Sequence, residues 1–185
     1  MKPIVTIIIL LLLQNICLSQ NERKSEIYFF INSTIKSDTS KFNLKDKMVT
    51  YPFEEFDYHF LKDSLFDSND IDTFMLQINN SKNLIWDKTK IENAKIIDSK
   101  SLKKIFKRKK LLHRIRKQNG WTKFRKKYGI CLTTYSLPLF SKNYKYCIFY
   151  EWTQCDYLMG SGNIVLYEKI NEKWTFVKFM MTGIS

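Results

Sequence analysis

Tight-turn residues are scarce in this chain: 185 residues include five glycines and three prolines. Few positions are therefore expected to need left-handed or sharply bent backbone. Histidine occurs twice, at His59 and His113, and neither lies near a cysteine in sequence. No C-x-x-C or H-x-x-x-H spacing exists, so the sequence predicts no zinc site, and nothing in it calls for another metal or a cofactor. Beyond the first twenty residues no run is apolar enough to span a membrane. The apolar and aromatic content, 44% and 15%, is ample for a core, so disorder is not expected either.

The chain begins MKPIVTIIILLLLQNICLSQ. Lys2 supplies a positive start, and Ile4 to Leu13 form an apolar run of about ten residues, short of the ~20 that a spanning helix needs. Small residues at Cys17 and Ser19 suit a signal-peptidase site, which predicts cleavage between Ser19 and Gln20. An uncleaved anchor and a lipidated Cys17 are the alternatives; Ile16, where a small residue is wanted, argues against lipidation. The expected product is exported, periplasmic or secreted, with residues 20–185 as one α+β domain.

Acidic residues are missing from one long stretch. Residues 99–150 carry 16 basic side chains and no acid, whereas 21–98 carry 11 basic and 14 acidic, and 151–185 carry 3 and 4. The net charge of +13 therefore belongs to one block. Such a block attracts phosphates, acidic lipid head groups or acidic partners before specific contacts form. Its candidate anion-binding residues are Lys103, Lys104, Lys107, Arg108, Lys110, Arg114, Lys117, Lys123, Arg125 and Lys126. For an exported protein an anionic envelope surface or a protein partner is the more natural reading than nucleic acid. The bland alternative is a solvated face matched by Glu54, Glu55, Asp57, Asp63, Asp67, Asp70 and Asp72; a lysine-rich, AT-biased coding sequence would explain part of the charge.

Periodicity gives a coarse map. Ile27, Phe30, Ile31 and Ile35 predict a short helix with Ser25 as N-cap. Residues 36–67, with Tyr51, Phe53, Phe56, Tyr58 and Phe60 around Pro52, read as an irregular segment with at most one strand. In NDIDTFMLQI, Asn69 and Asp72 stand at capping-box spacing, and Ile71, Phe74, Met75 and Ile78 share a face. In the basic block Leu102, Ile105, Phe106 and Leu112 lie on one side of a helical wheel, and Leu111 and Ile115 near the other. That predicts a break near Lys107–Lys110 or a helix wedged between two surfaces, and it disfavours a free amphipathic membrane helix. Trp121, Phe124 and Tyr128 then recur on one helical face, ended by Gly129. Core packing is the favoured use of these rings over stacking on nucleic-acid bases.

From residue 130 the composition turns to strands: ICLTTYSL, YKYCIFYEWT, NIVLYEK and KWTFVKFM. The expected fold is α+β, with residues 20–129 mainly helical and 130–185 a four-stranded antiparallel meander. Gly160-Ser161-Gly162 precede a strand rather than a helix, so they do not form a phosphate cradle. They predict a wide hairpin loop using positive φ.

From Trp121 onward the motifs W-x-x-F-x-x-x-Y-G, S-x-P-x-F-S (136–141), C-x-x-L-x-G-x-G (155–162), EKINEKW (168–174) and a final IS resemble a family of small, exported, uncharacterised bacterial proteins. The resemblance covers the last third of the chain and implies export but no activity. It also implies a loop with two paired cysteines, Cys-Gly-x-Leu-Cys-Gly-x-Gly. This chain departs there, with Asp156 for the first glycine and Met159 for the second cysteine, so that loop disulfide is absent. A hairpin closed around FSKNYK would place Cys131 opposite or beside Cys155, which makes a bridge geometrically feasible. A reactive Cys155 thiol is the other reading.

No Ser-His-Asp arrangement is legible, and the carboxylates Glu151 and Asp156 that flank the glycines identify no substrate. The sequence therefore favours an exported, non-enzymatic binding or accessory protein of the cell envelope presenting a basic surface. The alternatives are a structural periplasmic protein with no polyanion role and an unrecognised hydrolase-type enzyme.

Overall fold

The structure, a computed structural model, describes residues 22–35, 41–49, 51, 65–81, 83–107 and 120–184. The expected signal segment 1–19 and its expected Ser19–Gln20 cleavage site lie outside the described residues. No helix among those described is long and apolar enough to cross a membrane. The chain divides into two compact units, 1–36 and 37–185. In the first, residues 22–34 form a helix, α1. Ser25 lies inside it rather than capping it, and its last turn carries Ser33 and Thr34, whose hydroxyls both donate to the Phe30 carbonyl.

The second unit is built on a seven-stranded mixed sheet. In chain order it runs β1 (Phe42–Lys45), α2 (Ser68–Asn80), β2 (Ala94–Ile97), α3 (Ser99–Phe106), α4 (Gly120–Tyr128), β3 (Leu132–Tyr135), β4 (Leu139–Phe140), β5 (Tyr146–Asp156), β6 (Met159–Ile170) and β7 (Lys173–Ile184). The strands lie in the order β2-β1-β3-β5-β6-β7, with β4 also paired to β5. This corrects the four-stranded antiparallel meander: the sheet is mixed and draws two further strands from residues 20–129. β1 and β2 come from that segment and pair in parallel, Phe42 with Ala94 through Lys45 with Ile97, and β1 runs parallel to β3 at Leu44–Thr133. Parallel neighbours need a crossover; α2 lies in the first and α3–α4 in the next. FNLK and AKII are four residues each, too short to display a period of two.

β5 to β7 are antiparallel, long, and rich in aromatic and β-branched residues. The β6–β7 turn is Asn171-Glu172, both at positive φ (48° and 61°), between the paired Ile170 and Lys173. That is the two-residue primed turn whose twist matches a hairpin. Gly160 and Gly162 do not form a wide loop: both are paired within β6, Gly160 to Gln154 and Gly162 to Trp152. Gly129 is the glycine at positive φ, 120°, directly after α4. Gly162 answers a steric demand instead, since a Cβ there would stand 2.5 Å from the Glu151 carbonyl oxygen and 2.5 Å from Trp152 Cε3.

α2 is capped by Asp67, which accepts from Asp70 N–H at 2.8 Å, two residues earlier than the expected Asn69. It lays Phe74, with Ile71, Met75 and Ile78, on Leu139, Ile148, Ile164 and Leu166. Buried Gln77 locks the docking: its amide donates to the Phe140 carbonyl and accepts from the Phe140 N–H, at 2.6 and 3.0 Å. Tyr51 Oη lies 2.8 Å from the carbonyl oxygens of both Leu137 and Ile148, and burial pushes this phenol well above its ordinary pKa.

Candidate anion-binding surface

α3 begins at Asp98, whose carboxylate accepts from the Ser101 N–H at 2.8 Å. Hydrogen bonding from the Ser101 side chain, seconded by this backbone N–H, holds the Asp98 pKa below the ordinary value. The helix ends at Phe106, with Lys107 already extended, so regular helix stops at the start of the expected break. α3 and α4 then meet through aromatic rings: Phe106 lies 5.1 Å from Trp121 and 6.1 Å from Phe124, and Leu102 and Ile97 complete the cluster. Gly120 permits this approach, because a Cβ there would fall 2.5 Å from Phe106 Cδ1. The rings of Trp121 and Phe124 are buried; they hold α4 to its neighbours and are not a stacking platform.

With the apolar sides of both helices turned inward, the cations face water. Lys103, Lys104 and Lys107 on and after α3, and Lys123, Lys126 and Lys127 on α4, are all exposed. Among the described residues none of these six makes an ion pair. Lys127 and Lys95 approach the Tyr128 ring, at 5.2 and 5.0 Å from its centroid. An open hollow of about 600 Å³ is lined by Lys103, Lys104, Phe106 and Lys107. Arg108, Lys110, Arg114 and Lys117 lie outside the described residues.

Arg125 has a different task. Its guanidinium bonds Asp156 at 2.8 Å and the Cys155 carbonyl oxygen at 3.4 Å, tying α4 to the end of β5. The Arg125 hydrogen bond, helped by the Tyr157 N–H, keeps the Asp156 carboxyl below its ordinary pKa. Two of the acids expected to neutralise the block are engaged elsewhere: Asp67 caps α2, and Asp70 accepts from the Lys142 N–H at 2.9 Å. Asp72 is exposed on α2, and Glu54, Glu55, Asp57 and Asp63 lie outside the described residues.

Cys131 and Cys155 form a disulfide, with Cα atoms 4.0 Å apart, and Cys147 is buried outside the bridge. β3 pairs with β5 in the register Leu132–Gln154, and the register shifts by one residue before Leu139 pairs with Ile148, either side of Pro138. A second irregularity falls between Gln154 and Asp156, at Cys155 itself. Bulges re-aim a side chain, and here the bulged residue is the bridged one.

Two further polar places lie on the sheet. On the face that carries α2 and the aromatic pair of helices, Lys45, Lys47, Thr134, Tyr150 and Trp152 line an open hollow of about 630 Å³. On the opposite face sits Glu151, whose carboxyl is pushed up by burial against a hydrogen bond from Asn163. Tyr135 and Tyr167 feel the same burial and the Glu151 charge, Tyr167 rising to about 12. Glu151 and Asp156 thus serve separate surroundings and do not form a carboxylate pair.

Sequence reasoning overlooked the β5–β6 tip. The turn is Tyr157-Leu158, and Tyr157, Leu158 and Met159 are 51%, 85% and 64% exposed. The signal was present: three large apolar residues between Asp156 and Gly160 with no alternating pattern to bury them. Comparison of the chain with protein-family models, with curated proteins and with solved structures finds no match.

Proposed function

We propose that the chain is an exported, non-enzymatic binding protein of the cell envelope that presents the α3–α4 surface to an anionic partner. One observation carries this reading: six exposed lysines, five on two packed helices and Lys107 directly after the first, have no acidic partner among the described residues. Among the described residues, the acid bound to α4 is Asp156, and it is matched by Arg125. Closely spaced, unneutralised ammonium groups repel one another and gain when a polyanion approaches. The aromatic cluster beneath supplies the rigidity, so the charges are held on a fixed face.

Reversal of Lys103, Lys104, Lys123 and Lys126 to glutamate tests it, with dextran sulfate as the probe. A lysine near an anionic surface contributes about fivefold in affinity, so the fourfold variant is expected to lose roughly two orders of magnitude or more. Unchanged binding by this variant would sink the proposal.

A further inference from the structure

We propose that the β5–β6 tip is a membrane-contacting wedge, which dips Tyr157, Leu158 and Met159 into the interfacial zone of an anionic bilayer while the α3–α4 lysines engage head groups. The inference rests on the reading of the lysine face as an anion-binding surface and names its partner: an anionic lipid surface.

Three observations converge on it. First, the tip exposes Leu158 at 85%, Met159 at 64% and Tyr157 at 51%, three consecutive large apolar side chains at the outermost point of a long hairpin. Isolated exposed apolar residues are ordinary, but a contiguous group marks an interaction site. Second, the tip is fastened to the basic helices. Arg125 of α4 holds Asp156 at 2.8 Å and also reaches the Cys155 carbonyl, and the Tyr157 ring meets Trp121 edge-on at 6.5 Å between centroids. Lys123 and Lys126 flank Arg125 along α4 and are exposed. Third, the hairpin end is braced by the Cys131–Cys155 disulfide, so little ordering entropy is lost when it docks.

The pairing of an apolar point with a cationic field selects the partner. Three side chains are too small a patch for a stable protein interface, which covers about 800 Å² on each partner. A bilayer needs no such area. Weak apolar insertion and attraction to anionic head groups add, and two modest signals together suffice for attachment. Tyrosine belongs at that depth, with its ring among the acyl chains and its hydroxyl among the head groups. The lysine stems cover apolar surface while their ammonium groups stay wet.

The test compares wild-type protein with Leu158→Ser/Met159→Ser on two probes: vesicles of phosphatidylglycerol mixed with phosphatidylcholine, and soluble dextran sulfate. Both positions are exposed, and Tyr157 is left in place against Trp121. The variant is expected to match wild type on dextran sulfate and to bind vesicles about tenfold or more weakly, from the apolar area no longer withdrawn from water. In Leu158→Trp the added indole fluorescence should be quenched by lipids brominated on their acyl chains. Equal vesicle binding by variant and wild type, or no quenching, overturns the wedge. So does a variant that weakens equally on both probes, because the tip would then be supporting the helices and not touching lipid. Wild-type binding to dextran sulfate without vesicle binding overturns the wedge but leaves the lysine surface standing. Binding to neither probe removes the lysine surface, and the wedge with it.

Discussion

Replacing Gly162 with alanine tests the packing that ties the sheet to its neighbouring surfaces. Gly162 pairs with Trp152 across β5–β6 and with Gly183 across β6–β7, so two glycines lie side by side beneath one indole. A Cβ at Gly162 would meet the Glu151 carbonyl oxygen at 2.5 Å, Trp152 Cε3 at 2.5 Å and Trp152 Cα at 3.1 Å. Two of those atoms are backbone, so rotating the indole away relieves only part of the clash. Overpacking of this kind costs about 1–3 kcal/mol. Removing a glycine from the unfolded chain returns about 0.4–1 kcal/mol, which leaves a net loss of about 1–2 kcal/mol. Gly183 is the internal control, because its Cβ would find Trp152 Cζ3 at an ordinary 3.6 Å. Gly183→Ala should therefore be neutral or stabilising by up to about 1 kcal/mol. Urea unfolding followed by tryptophan fluorescence reads both variants, and Gly162→Ala should also shift the native emission of Trp152. If the two substitutions have the same effect, the steric account of this glycine pair is wrong.

Three other outcomes follow from the geometry. Glu172 holds φ 61° in the β6–β7 turn without a glycine's freedom; Glu172→Gly should stabilise by about 1 kcal/mol, and a loss of stability on urea unfolding would contradict the turn. Burial holds the Glu151 carboxyl above its ordinary pKa. Its proton is thus bound more tightly in the folded state, and this contribution is complete below the ordinary value and lost as pH rises through the raised one. Glu151→Gln should accordingly gain on wild type in thermal melts near pH 7 and lose that advantage in acid; a difference independent of pH would refute the cause. The Cys131–Cys155 bridge closes a sequence separation of 24, for which chain entropy gives about 3 kcal/mol. The double serine variant should lose about that much, and unreduced mass mapping that found three free thiols would remove the bridge.

The parts of the fold legible in the sequence are those whose periodicity is long enough to register. Ile71, Phe74, Met75 and Ile78 mark the docked face of α2, Trp121 and Phe124 that of α4, and aromatic and β-branched runs mark β5 to β7. β1 and β2 were illegible because a four-residue parallel strand has no pattern of its own; its identity comes from its neighbours in the sheet. The turn between β5 and β6 was misplaced for a related reason. Glycines at 160 and 162 look like turn residues, yet the turn uses Tyr157-Leu158, neither at positive φ; both glycines pair within β6, and Gly162 makes room for Trp152. For the surface, the sequence identified the basic block but not its division of labour. Arg125 reads like its neighbours, and only the fold brings it to Asp156. Nor could the sequence show that Tyr157, Leu158 and Met159 stand exposed beside α4.

The most direct test of the central claim is binding of the purified protein to phosphatidylglycerol-containing and pure phosphatidylcholine vesicles, from low to physiological salt. Attachment to the anionic vesicles alone is expected, weakening steeply as salt screens the lysines over about 10 Å. No attachment at low salt, or equal and salt-insensitive attachment to both lipids, would contradict it.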